Sequence, residues 1–205
     1  MARIPLLSED SLSPEQRRVY NKVVSGPRGE VVGPLRAALH SPELADHWQG
    51  FGEQLRYHTS LPHKLTELAI IMVGRHWNSQ VEWAIHADIA RRAGLSEALM
   101  EAIRTCAPPT FEDPDEAIVY EYTRETLQHG DVSEAAYQAA HDRFDAVGIV
   151  ELTALVGYYS LVAMTLNSHD VPVPRGLDDL LPPVAGMGRG NRLLAKLAPA
   201  RAEPS

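Results

Sequence analysis

Apolar residues recur along most of the chain at intervals of three and four positions, which is the spacing of one face of an α-helix. The alternation of apolar and polar residues that is typical of a half-buried β-strand is hard to find in any segment. After Pro62, one such helical face is formed by Leu65, Leu68, Ala69 and Met72. The pattern therefore predicts an all-α fold.

Start and stop signals divide this pattern into about eight helices. Residues 13–16 (Ser-Pro-Glu-Gln) combine an N-cap serine, a proline at the first helical position and a glutamine that can complete a capping box. Further helix starts are indicated by Ser41, Pro62, Ser96, Asp113 and Ser133, and helix ends by Gly94 and Gly130. Residues 151–167 are predicted to form a last helix of their own. Short connections between this many helices are typical of a helical bundle.

Two stretches fall outside the helical pattern. Residues 26–34 are punctuated by glycine and proline and predict a loop. From Val171 onward the chain is rich in proline, glycine and arginine. We therefore predict one helical domain at residues 1–170 and a Pro/Gly-rich extension at residues 171–205. The extension is expected to wrap around a neighbouring subunit or, over roughly its last 15 residues, to be disordered.

Composition and charge narrow the class of protein. A chain of 205 residues with 44% apolar content suits one domain with a sizeable core. The net charge of −8 argues against nucleic acid or an anionic membrane surface as partner. The apolar run Leu152–Leu166 is too short and too polar for a membrane span and predicts a buried helix. The only cysteine, Cys106, excludes an intrachain disulfide, and with no signal-peptide pattern we expect a cytoplasmic protein.

One segment carries residues suited to proton-transfer chemistry. Glu82 and His86 are four residues apart, so they share a helix face, and Ser79 lies one turn earlier. The break at Asn78 and Ser79 is expected to fold the preceding helix back antiparallel, which brings Glu67 towards them. A carboxyl group inside an apolar bundle has a raised pKa and can exchange a proton near neutral pH.

Each of these residues also has a structural interpretation. Ser79 and Glu82 can form a capping box at the start of a helix, and Glu67 can pair with Arg75. The remaining candidates for binding a substrate are Ser79, Arg75, Trp83 and His76, although Trp83 also suits a core position and Arg75 and His76 also suit structural roles. Two carboxylates and an imidazole could hold a divalent metal, but no metal is expected.

These residues resemble the core of the carboxymuconolactone decarboxylase family, which includes the alkylhydroperoxidase AhpD-type proteins. Residues 65–94, with Arg75, Glu82 and His86, carry the likeness, and residues 151–167 resemble a later helix of the same domain. The resemblance implies an all-helical homo-oligomer, a trimer or hexamer with active sites close to subunit contacts. It also implies a lyase of aromatic-compound breakdown that uses no cofactor.

The chain departs from the peroxidase-type members, which carry Cys-x-x-Cys-x-x-x-His preceded by a glutamate. Here Ser79 and Glu82 stand at the cysteine positions, with His86 as the histidine and Glu67 as the glutamate. A serine and a carboxylate cannot cycle through a disulfide. The resemblance therefore favours the decarboxylase-type members, which have Glu-x-x-x-His but do not usually have a glutamate where Glu67 stands.

The leading hypothesis is a cofactor-independent decarboxylase, or a related proton-transfer enzyme, acting on a small carboxylated lactone or keto acid. Glu82, His86 and Glu67 would be its catalytic residues. One alternative is a peroxidase-like redox protein that uses Cys106, which otherwise suits an inert buried thiol. The other is a non-catalytic helical oligomer that binds a small molecule.

Overall fold

The computed structural model describes residues 2–182 and 194–200. The helices are α1 (Pro14–Ser25), α2 (Pro34–Ala38), α3 (Pro42–Tyr57), α4 (His63–His76), α5 (Gln80–Arg92), α6 (Glu97–Thr105), α7 (Pro114–His129) and α8 (Glu134–Ser168). A short 3₁₀ helix, Glu9–Ser11, precedes them, and the described residues contain no β-strand. The prediction of an all-α fold with about eight helices is confirmed.

Several helices begin at the capping residues that the sequence indicates. At α1 the Ser13 hydroxyl accepts a hydrogen bond from the Gln16 backbone N–H, and the Gln16 side chain accepts one from the Ser13 N–H. Ser96, Asp113 and Ser133 likewise accept hydrogen bonds from backbone N–H groups in the first turns of α6, α7 and α8. These bonds satisfy N–H groups that have no partner within the helix, which is why the boundaries follow the local sequence.

Helix α4 lies at the centre of the molecule. Every residue from Leu65 to His76 is buried, and the helix packs against α5, α7 and α8. Three of its buried side chains are ionisable: Glu67, Arg75 and His76. Because buried polar groups need partners inside the protein, the contacts of these three show which of them are structural and which belong to a site.

Residues 134–168 form one helical element with an internal break. The sequence instead predicts two separate helices here, the second beginning at Glu151. The break is at Asp145, which has a left-handed φ of 54°, and its carboxylate accepts a hydrogen bond from the Val147 N–H. The side chain thus caps the second half of α8 as an N-cap would.

By length and composition α8 could cross a membrane, but half of its most apolar window is buried inside the molecule, where it packs on α4 and α7.

The outward face of α8 carries an exposed apolar stripe. Its members are Val147, Val150, Ala154, Gly157, Leu161 and Met164, of which the two valines, the leucine and the methionine are 42–66% exposed. Their spacing alternates between three and four residues, which is the repeat along which two helices pack. The small residues in the middle of the stripe would let a second helix approach closely.

The described part of the C-terminal extension packs on the helices of its own chain. The Gln80 side chain makes two hydrogen bonds with the backbone of Leu181, and His76 is bonded through its backbone and its ring to Ala195. The buried apolar side chains of the extension are Val171, Leu181, Ala195 and Leu197. Over these residues the extension contacts its own domain. The contact with a neighbouring subunit stays a prediction. The rest of the predicted extension, residues 183–193 and 201–205, lies outside the described residues.

Candidate active site

The turn between α4 and α5 folds the two helices against each other. Asn78 adopts a left-handed φ of 49°, and the Ser79 N–H donates to the Gly74 carbonyl at 2.8 Å, so the chain reverses within three residues of the end of α4. A Cβ atom on Gly74 would stand 3.3 Å from the Trp83 backbone nitrogen and 3.5 Å from the Glu82 side chain. The absence of a side chain at this position therefore lets α5 pack closely on α4.

This packing places His86 between two buried carboxylates. Its Nδ1 lies 2.7 Å from Glu67 Oε2 on α4, in hydrogen-bonding geometry, and its Nε2 lies 3.4 Å from Glu82 Oε1 one turn earlier on α5. The side chains of Glu67, Glu82 and His86 are 0%, 3% and 6% exposed. The structure thus brings together the three residues predicted to be catalytic. The Glu67 contact holds the imidazole so that its other nitrogen faces Glu82.

The surroundings of Glu82 favour its protonated form. Burial raises the pKa of its carboxyl group from 4.5 to about 7, with the Glu67 charge adding to the rise and His86 and Arg56 opposing it. Tyr159 on α8 lies edge-on against the His86 ring at a centroid distance of 5.2 Å. Burial is the main cause that raises the pKa of the Tyr159 hydroxyl well above 10, so this hydroxyl stays protonated and can donate a hydrogen bond.

Ser79 does not cap α5 with its side chain, so the capping box that the sequence allows is not formed. The Ser79 Oγ atom is buried and has no hydrogen-bond partner among the described residues, and the same holds for Oε1 of Glu82. Glu82 instead lies beside His86, and Glu67 pairs with His86 rather than with Arg75. A purely structural role for the Ser79 and Glu82 pair as a helix cap is therefore excluded.

A cavity of about 480 Å³ opens onto this cluster. Glu82 and His86 lie in its wall together with Tyr158 and Tyr159 from α8. Apolar residues from the loop before α2, from α2 itself, from α5, from α8 and from the extension form much of the remaining wall: Val32, Pro34, Leu35, Ile85, Ile89, Val162, Leu166, Pro174 and Leu177. A mostly apolar cavity with a few polar groups at one place is typical of a small-molecule site.

Four arginines also line the cavity, and sequence reasoning did not single them out. Arg28 comes from the loop after α1, Arg56 from the last turn of α3, Arg92 from the end of α5 and Arg175 from the extension. They are far apart in the sequence and belong to no motif. The only feature of the sequence that points towards one of them, Arg28, is the glycine- and proline-rich loop at residues 26–34, since functional residues are often carried on such loops.

The four residues predicted to bind substrate do not line this cavity. Arg75 donates to Asn78, and His76 holds Ala195 of the extension, with burial lowering the pKa of its imidazole. Trp83 is 1% exposed and lines a different cavity, beside Arg91 and Asp179. Ser79 is fully buried beneath the turn. Their role in binding stays a prediction that these positions do not favour.

The structure also shows where Cys106 lies and how the three candidate metal ligands are arranged. Cys106 ends α6 in a left-handed conformation with φ of 58°, and it is not part of the cavity wall at Glu82 and His86. Within residues 2–182 and 194–200, no group of three or more His, Cys, Asp or Glu side chains is arranged to hold a metal ion. The two carboxylates lie against opposite nitrogens of His86, so the three side chains do not converge on one point.

Comparisons with known proteins show a family match over the middle of the chain. Residues 42–117, from the start of α3 to the start of α7, match the model of the carboxymuconolactone decarboxylase family. No curated protein matches the sequence.

Solved structures share the fold at low sequence identity. An uncharacterized peroxidase-related protein from Silicibacter sp. TM1040 is 13% identical over 88% of this chain and 96% of its own, with a TM-score of 0.68. The alkylhydroperoxidase AhpD core of an uncharacterized peroxidase-related protein from Ralstonia eutropha JMP134 is 13% identical over 86% of this chain and 94% of its own, with a TM-score of 0.69. The debrominase Bmp8, as a variant in complex with 2,3,4-tribromopyrrole, is 12% identical over 85% of this chain and 95% of its own, with a TM-score of 0.65.

The matched segment contains α4, α5 and the Glu67, Glu82 and His86 cluster, so the family likeness covers the region where the candidate site lies. The resemblance inferred from the sequence is confirmed: residues 42–117 match the carboxymuconolactone decarboxylase family, and the chain has the fold of the AhpD-like proteins.

Proposed function

We propose that this protein is a cofactor-independent enzyme that transfers a proton at a carbon atom of a small acid, with decarboxylation of a carboxylated lactone or β-keto acid as its reaction. The observation that carries the proposal is the Glu67–His86–Glu82 array at the wall of a mostly apolar cavity. A general acid works best with a pKa near the working pH, and the pKa of Glu82 is raised to about 7.

The reaction requires one proton and no electron transfer. The bond between the carbon and its carboxylate breaks, CO₂ leaves, and the electron pair moves onto the neighbouring carbonyl to give an enolate. The protonated Glu82 carboxyl group then gives its proton to the enolate carbon, and a proton from solvent restores the acid. Each step therefore uses a group present in the cavity wall, together with solvent.

His86, Glu67 and Tyr159 support this transfer. Glu67 fixes the orientation of the imidazole through Nδ1, so Nε2 of His86 can exchange a proton with Glu82 and return it to the protonated state. The Tyr159 hydroxyl, held protonated by its raised pKa, can donate a hydrogen bond to the enolate oxygen. We assign Glu82 as the general acid, His86 as its proton partner and Glu67 as a positioning residue.

Thiol redox chemistry finds no support at this site. The cluster holds Glu82 and Ser79 where a redox pair would need two cysteines, and Cys106 lies outside the cavity wall.

The complex of the debrominase Bmp8 with 2,3,4-tribromopyrrole is evidence that a protein of this fold binds a small planar ring. A lactone or a keto acid of similar size suits a cavity of about 480 Å³.

The proposal is tested by turnover in D₂O. The protein is incubated with a panel of β-keto acids and carboxylated γ-lactones, and CO₂ release is measured together with the incorporation of deuterium at the carbon that carried the carboxylate. We expect one deuterium per CO₂ in the product. Glu82→Gln keeps the side-chain volume but cannot exchange a proton, so its turnover should fall by about 10²–10⁴-fold.

Glu101→Gln is the matched control, because Glu101 is an exposed residue of α6 that pairs with Arg104 away from the cluster. Its turnover should equal that of the unmodified protein. Full activity of Glu82→Gln, or no CO₂ release from any acid that the protein binds, would contradict the proposal.

A further inference from the structure

The polar groups of the candidate site occupy one part of a larger cavity. Glu82, His86, Tyr158 and Tyr159 belong to the wall of a cavity of about 480 Å³. A cavity of this volume lies in the range that holds drug-sized ligands. The reacting end of a substrate therefore leaves much of the cavity unfilled, and the rest of the wall determines what else the substrate can carry.

Helix α8 continues the cavity from the candidate site as an apolar face. The ring of Tyr159 lies at a centroid distance of 5.2 Å from that of His86, and Val162 and Leu166 line the same cavity. The three α8 residues are spaced by three and four positions, so they share one face of the helix. Leu166 lies about 10 Å beyond Tyr159 along the helix axis. The face therefore begins at the candidate site and leads away from it.

The start of α2 and the loop before it cover the far end of this face. Gly33 is buried with a φ of 53°, a conformation that favours glycine, and a Cβ atom there would stand 3.9 Å from Cδ2 of Leu166. The loop thus passes Leu166 at van der Waals distance. Val32, Pro34 and Leu35 line the cavity beside it. Apolar side chains from two distant parts of the chain therefore enclose the far end.

The C-terminal extension adds a further apolar part of the wall. Pro174 and Leu177 line the cavity, in a turn where the Leu177 N–H donates to the Pro174 carbonyl. The backbone of the extension is bonded to the Leu166 carbonyl before this turn and to the Gln80 side chain after it. Leu177 is therefore held at the cavity by a segment that is fixed to the helices on both sides.

The charged residues of the wall are either exposed or act on the candidate site. Four of them are exposed to water: Glu30, Asp88, Arg92 and Arg175. Arg28 and Arg56 act on the site, because their charges hold down the pKa values of Tyr158 and Glu82 against the effect of burial. The part of the wall from Val162 to Leu166 thus presents apolar side chains to a ligand.

We propose that the substrate carries an apolar chain or ring that lies along Val162 and Leu166 of α8, enclosed by residues 32–35 and Leu177. This inference rests on the proposed function and narrows its substrate class to β-keto acids and lactones with an apolar substituent. Each methylene group buried in such a place increases affinity by about two- to fourfold. A second carboxylate there would lose its hydration among apolar side chains, which is unfavourable.

Alkan-2-ones test the inference without turnover, because they resemble the ketone that decarboxylation of a β-keto acid leaves. Calorimetric titration with 2-pentanone, 2-heptanone and 2-nonanone should show affinity rising by about 4- to 16-fold at each step of two methylene groups. 6-Oxoheptanoate has the length of 2-heptanone but ends in a carboxylate, and it should bind at least tenfold more weakly. Affinity that does not rise with chain length, or tighter binding of 6-oxoheptanoate, would overturn the proposal.

Leu177→Ser removes one apolar side chain from the far part of the wall. It should weaken binding of 2-nonanone by about 3- to 10-fold and leave that of the shorter 2-pentanone within twofold. Leu180→Ser is the matched control, because Leu180 lies in the same segment, is 44% exposed and does not belong to the described cavity wall. It should bind both ketones like the unmodified protein. Unchanged binding of 2-nonanone by Leu177→Ser, or an equal loss for both ketones, would contradict the proposal.

Val162→Phe tests the same part of the cavity by filling it. This variant should lose the gain in affinity from 2-heptanone to 2-nonanone. Its binding of 2-pentanone should stay within twofold, which also shows that the protein is folded. A gain with chain length as large as that of the unmodified protein would place the apolar chain elsewhere and overturn the proposal. If Val162→Phe does not fold, Leu177→Ser decides the question.

The failure of this inference can be told from the failure of the proposed function. If ketone binding rises with chain length but Glu82→Gln keeps its turnover, the proton-transfer proposal fails while the apolar binding site stands. If Glu82→Gln loses turnover on β-keto acids while chain length leaves ketone binding unchanged, the apolar binding site fails alone.

Discussion

Replacing Glu82 by glutamine should raise stability while it removes activity. In the folded protein the pKa of Glu82 is raised from 4.5 to about 7, so above pH 7 the structure holds a buried carboxylate that the unfolded chain would keep in water. This difference corresponds to about 3 kcal/mol of lost stability at pH 8. A buried glutamine amide without full hydrogen bonding costs about 1–2 kcal/mol of its own. We expect a net gain of about 1–2 kcal/mol.

The gain should depend on pH in a defined direction. A carboxyl group whose pKa is raised on folding binds its proton more tightly in the folded state, so its contribution to stability falls as the pH rises from about 4.5 to about 7. The stabilisation by Glu82→Gln should therefore be full at pH 8 and disappear towards pH 4.5. For a domain of this size, it corresponds to an increase of about 2–8 °C in melting temperature at pH 8.

The assay is thermal unfolding followed by circular dichroism at pH 8 and at pH 5, with Glu101→Gln as control. Glu101 is exposed, so the control should shift the melting temperature little at either pH. A Glu82→Gln protein that is less stable than the unmodified protein at pH 8 would refute the reasoning, because it would mean that the ionised carboxylate has a stabilising partner. A gain that is as large at pH 5 as at pH 8 would also refute the reasoning, because the gain would then not depend on the ionisation of Glu82.

Three further results are expected. Tyr159→Phe removes the hydroxyl group proposed to bind the enolate oxygen and should lower turnover by about 10²–10³-fold while substrate binding changes little; unchanged turnover would remove Tyr159 from the mechanism. Cys106→Ala should keep turnover within a few fold, since no second cysteine is present, and a loss of orders of magnitude would overturn the acid–base proposal. If the exposed stripe of α8 is the contact surface of the predicted trimer or hexamer, Val150→Glu with Leu161→Glu should give smaller species by light scattering. A control pair of exposed polar residues off the stripe, Gln138→Glu with Thr110→Glu, should leave the size unchanged.

The parts of the site that depend on local spacing could be predicted from the sequence. Glu82 and His86 are one helical turn apart, and the break at Asn78 indicates that α4 folds back on α5, so the approach of Glu67 follows from two adjacent helices. Helix starts at Ser13, Ser96 and Ser133 follow from the same kind of short-range signal.

The cavity depends on contacts between distant parts of the chain and could not be predicted in this way. Arg28, Arg56 and Tyr159 come from a loop, α3 and α8, and nothing in the spacing of these residues indicates that they meet. The role of Arg75 in binding substrate stays a prediction, and the structure does not favour it for a related reason. Composition indicates that an acidic protein needs a local cation for an anionic substrate, but only packing decides which of the 19 lysines and arginines lies at the cavity.

The distribution of charge in the cavity bears on how the proposed reaction is accelerated. The reacting carboxylate would lie beside the protonated Glu82 and near Glu67, whose negative charge disfavours it. On loss of CO₂ the negative charge moves to the enolate oxygen, where the Tyr159 hydroxyl can bind it. Glu82 and Tyr159 therefore act on groups whose charge changes during the reaction, so they stabilise its transition state more than the bound acid. Substitution of Glu82 or Tyr159 should therefore lower kcat more than it changes KM.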